Sequence, residues 1–145
     1  MDEPIWRADR ALIEKHFIEK LPVLEGRQTP SGNPAFTVFE LPSNDPDAVL
    51  SIEFDSEEIT VFFDAFHTHF DASHYVAASD LVKSILEEKT AILIRAIDGQ
   101  WAGSQTVQVD QPSEWVSIEP RTGESIWVRA WSGLIFGKVG FYETK

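Results

Sequence analysis

Cysteine is absent from this chain. That single absence removes disulfides, thiolate metal sites and cysteine nucleophiles together, and it fits a reducing, cytoplasmic setting. No apolar run is long enough to span a bilayer. The opening residues lack a basic start followed by an apolar stretch, so no signal peptide is expected. Glycine-rich phosphate loops and a G-x-S-x-G nucleophile elbow are also missing. Gly137 and Gly140 fall in a strand pattern rather than before a helix, and Ser104 carries no local catalytic signature.

Positive charge is missing over a long interval. From Gln28 to Val82 there is neither lysine nor arginine. The same interval holds Glu40, Asp45, Asp47, Glu53, Asp55, Glu57, Glu58, Asp64, Asp71 and Asp80. The chain carries a net charge of −12, so these ten acids account for most of it. Without a basic cluster, nucleic acid is excluded as the natural partner and a cationic protein is favoured. The plainer reading of the same block is a solvated surface that keeps a small protein soluble.

What remains is enough for a folded core. At 145 residues, with 43% hydrophobic residues and five tryptophans, the chain is expected to form a single domain over 1–145. Apolar residues at helical spacing, among them Ile5, Ala8, Leu12, Ile13, Phe17 and Leu21, predict a helix over Ile5–Leu21 that Pro22 stops. Glu25–Pro34 reads as a loop. Strands are expected at Phe36–Leu41, Val49–Phe54 and Glu58–Phe66. The last is expected to be a central strand, with Ile59, Val61 and Phe63 on one face and Phe62 and Phe66 on the other. Tyr75–Lys89 returns to helical period, with Asp71 or Ser73 as its cap.

The C-terminal half reads as β-structure. Asp98-Gly99 predicts a tight hairpin between Thr90–Ile97 and Gln100–Val109. Ser132-Gly133 predicts a second between Ser125–Trp131 and Leu134–Tyr142. A short strand at Trp115–Ile118 is expected inside the loop between them. The fold class is therefore α+β, a mostly antiparallel sheet of about seven strands with two covering helices.

Phe66 to His74 concentrates the chemistry-bearing side chains. It is expected to lead from the central strand straight into the second helix. In extended chain His67 and His69 point the same way, about 7 Å apart along the strand. Such spacing can bring two imidazoles to one divalent transition metal such as zinc, with Asp71 or His74 as a third ligand, and the alternative function is then a small metal-binding domain or a metal-dependent enzyme. The pattern imitates the H-x-H-x-D-H loop of metallo-β-lactamase-like hydrolases, but Ala72 stands where the last histidine belongs and no histidine follows His74. The plainer reading is a strand-end cluster that caps the helix or faces a partner.

Trp101, Trp127 and Trp131 form a second candidate set, with Arg129 between the last two on one strand face. Exposed, they would be a recognition stripe; a core edge with Arg129 stacked on indole is the expected arrangement. A small-ligand pocket lined by Trp101, Phe62 and Phe66 is a further possibility.

The run E-I-T-V-F-F-D-A-F-H-T-H-F-D, Glu58 to Asp71, with the helix after it and the strand-turn-strand of Ile92 to Ser104, resembles small bacterial immunity proteins of polymorphic-toxin systems. The resemblance covers roughly residues 50 to 105. It implies a protein that binds and blocks a toxin and supplies no catalytic residues. The expected function is thus a non-enzymatic acidic binder of a basic protein toxin. Glu57, Glu58, Asp64, His67, His69, Asp71 and His74 are expected at the contact, with no cofactor and no membrane association.

Overall fold

In the computed structural model, which describes residues 9–30, 32–43 and 48–140, the fold is α+β with antiparallel strands throughout. Among the described residues the nine strands fall into two sheets, one of five strands and one of four. The chain divides into two compact units, the boundary falling at Lys83–Ser84.

The N-terminal unit begins with α1, Arg10–Lys20. Ile5 and Ala8, expected in the same helix, lie outside the described residues. Asp9 caps it: the Ala11 N–H donates to its carboxylate at 2.9 Å, satisfying one of the orphan donors of the first turn. Pro22 cannot continue the hydrogen-bond ladder, and a 3-10 turn at Pro22–Leu24 follows. Ile13 and Phe17 are the buried residues of α1, whereas Leu12, expected beside them, is half exposed.

Five strands follow, β1 at Gln28–Thr29, β2 at Thr37–Pro42, β3 at Val49–Phe54, β4 at Glu58–Phe63 and β5 at Phe66–Asp71, in that spatial order. β1 falls in the expected loop. Alternation decides which side faces the core. Phe39 and Leu41, Leu50, Ile52 and Phe54, then Ile59, Val61 and Phe63 are all buried. Phe17 stacks on Phe54 with ring centroids 5.7 Å apart, so α1 lies over this buried face. Burying a side chain of that size contributes roughly 2–3 kcal/mol.

The long strand expected over Glu58–Phe66 is in fact a hairpin. β4 ends at Phe63, and Asp64-Ala65 turns the chain with Asp64 at φ +53°. The histidine segment is therefore the edge strand β5, not a loop leading out of the centre of the sheet. Phe66 pairs with Phe63 and is buried on the helix side, while Phe62 is exposed on the opposite side. The two phenylalanines expected on one pocket thus lie on opposite faces.

Asp71 accepts from the Ser73 backbone N–H and caps the 3-10 turn Ala72–His74, which runs into α2, Tyr75–Leu86. α2 meets α1 through His16, whose Nε2 is 2.8 Å from the Ser79 hydroxyl and whose ring is 4.9 Å from Tyr75. Lys20 of α1 pairs with Asp80 of α2.

The C-terminal unit is built on β6 at Thr90–Ile97, β7 at Gln100–Gln108, β8 at Glu124–Ala130 and β9 at Gly133–Val139, ordered β7-β6-β8-β9. Asp98 and Gly99 make the expected tight turn, both at positive φ. One face packs Ala91, Leu93, Val107, Ile126, Val128 and Ala130 beneath Trp115. Trp115 was expected in a strand. It instead follows the 3-10 turn Pro112–Glu114, and its indole N–H donates to the Gln108 carbonyl at 2.9 Å. Its ring meets Phe136 edge-on at 5.4 Å. Gly140 is required by close approach, because a Cβ there would sit 1.9 Å from the Arg121 carbonyl oxygen. Tyr142, expected at the end of β9, lies outside the described residues.

Candidate acidic sheet face

The positions that alternate with the core residues of the five-stranded sheet form its other face. Register places Glu40, Ser51, Phe62 and His67 in one row across β2 to β5. Val38, Glu53, Thr60 and His69 make the next, and Glu58 pairs with Asp71 beyond them. Glu40, Glu58, Phe62, His67, His69 and Asp71 are exposed. One face of this sheet is therefore greasy, and the other carries carboxylates, two imidazoles and one phenyl ring.

The β3–β4 connection adds to that face. Asp55 folds it by accepting from the Glu57 and Glu58 backbone N–H groups at 2.7 and 2.9 Å. Glu53, Asp55, Glu57 and Glu58 then line a cleft of about 450 Å³ together with Phe36, Thr60 and Phe62. Six of the ten acids of the base-free interval thus gather here: Glu40, Glu53, Asp55, Glu57, Glu58 and Asp71. Asp64 sits at the β4–β5 turn, at the other end of the hairpin from Glu58 and Asp71, and Asp80 is turned to Lys20. Asp45 and Asp47 lie outside the described residues.

The histidines are held by this packing. His69 Nδ1 is 2.9 Å from the Thr60 hydroxyl and 3.1 Å from Glu58 Oε1. The rings of His67 and His69 are 5.3 Å apart, edge to face, and His67 lies against Phe62 at 5.9 Å. Asp71 accepts from both the N–H and the hydroxyl of Ser73, and these bonds hold its carboxyl below the usual range. His74 is in the 3-10 turn beyond it.

Glu57, Glu58, His67, His69 and Asp71 come together, whereas Asp64 is remote from them along the hairpin. Missed as members of the face were Glu40, Glu53, Thr60 and Phe36. The signal for Glu40 and Glu53 was present, since each alternates with buried neighbours in its own strand. As metal donors, His67 and His69 do share a side, but the Asp71 carboxylate is engaged by Ser73. Among the described residues no group of three or more His, Asp or Glu side chains is placed to hold a metal ion. No helix of the described residues is long and apolar enough to cross a membrane.

The aromatic set divides. Arg129 is buried and Trp127 and Trp131 are half-buried, as a core edge requires, but Trp101 is 58% exposed and belongs to no core. No family model, curated protein or solved structure matches this chain.

Proposed function

We propose that the protein is a non-enzymatic binder that occludes a basic protein through the acidic face of its five-stranded sheet, acting as an immunity-like inhibitor of a toxin. The observation that carries this reading is the convergence of Glu40, Glu53, Glu58 and Asp71 on one exposed face, beside the Glu57 cleft and around Phe62. A cationic surface approaching that face is steered by a field in which like charges add. Phe62, with His67 against it, supplies apolar contact area at its centre. Nuclease surfaces that hold phosphate are basic, so an acidic face of this kind competes for the same ground. The resemblance of Glu58–Asp71 to immunity proteins points the same way.

The test is biolayer interferometry against a panel of basic nuclease toxin domains, with an acidic protein as control. At least one domain is expected to bind, with an association rate that falls steeply as salt rises. The double variant Glu53→Lys, Glu58→Lys should lower that rate about tenfold at low salt and leave dissociation nearly unchanged. An association rate indifferent to both salt and charge reversal would remove the acidic face from the mechanism. Failure of the whole panel to bind would remove the toxin.

A further inference from the structure

We draw no further inference here: the strongest candidate, the cleft at the β3–β4 connection where Glu53, Asp55, Glu57 and Glu58 lie beside Phe36 and Phe62, belongs to the acidic face already described, and nothing among the described residues beyond that cluster of carboxylates points to what would fill it.

Discussion

His16 shows how burial, more than charge, sets the behaviour of one residue. Its ring is wedged between Phe17 and Tyr75 and is bonded to the Ser79 hydroxyl. Burial lowers its pKa first and the Lys20 ammonium adds to that, while Asp80 and Glu19 pull the other way without prevailing. The folded protein therefore holds the neutral imidazole to a lower pH than the unfolded chain, which takes its proton near 6.5. The linked stability is complete above that value and is lost as pH falls through the folded pKa. An NMR titration of the His16 ring protons should return a value below 6.5. The stability lost between pH 7 and 5.5 should shrink in His16→Gln. A His16 value at or above 6.5 contradicts this account. Glu124 belongs to a lower window. A hydrogen bond from the Arg121 N–H, with further help from Arg95, depresses its carboxyl against an opposing effect of burial. Its contribution is intact above the ordinary carboxylate range and is lost only in acid.

Elements were legible from the sequence where a local signal was strong. Pro22 ends α1, and Asp98-Gly99 makes its hairpin, because each residue imposes its own backbone geometry. Asp9 was not legible in this way: the expected helix over Ile5–Leu21 includes it, whereas it is the N-cap of α1 at Arg10–Lys20. Replacing it by alanine removes the acceptor for the Ala11 N–H and should cost about 1 kcal/mol, read as a lower urea midpoint, whereas Asp9→Asn should keep most of that stability. The β4–β5 hairpin was not legible. Its turn, Asp64-Ala65, has no glycine, and the flanking residues are continuously apolar or aromatic, so nothing local announces the reversal. Only pairing across the sheet, Phe63 with Phe66 and Phe62 with His67, makes it the favoured structure. The candidate face was half visible for the same reason. His67 and His69 stand out by residue type. Glu40 and Glu53 become members only when β2, β3 and β4 are set in register. Trp115 is similar, since its place over a sheet face depends on partners far along the chain.

At the scale of the molecule, the charge distribution has a cost as well as a use. Six carboxylates on or beside one face of a single sheet repel one another, and no lysine or arginine of the strands β2 to β5 lies among them. His69 Nδ1 lies 3.1 Å from Glu58 Oε1. The apolar side of the same sheet, with Phe17 stacked on Phe54 and the Ile-Val-Phe rows of β3 and β4, has to outweigh that repulsion. The charge of that face is thus carried by the core beneath it. Screening should release part of the cost. Raising sodium chloride from low to moderate concentration is expected to increase the melting temperature by about 2–5 °C, and Glu53→Lys should reduce that dependence while raising the low-salt value. Calorimetry at fixed pH decides it. A melting temperature that is flat or falls with salt would mean that the acids are too well solvated to repel, and with that the long-range field invoked for partner capture would be weaker than the face suggests.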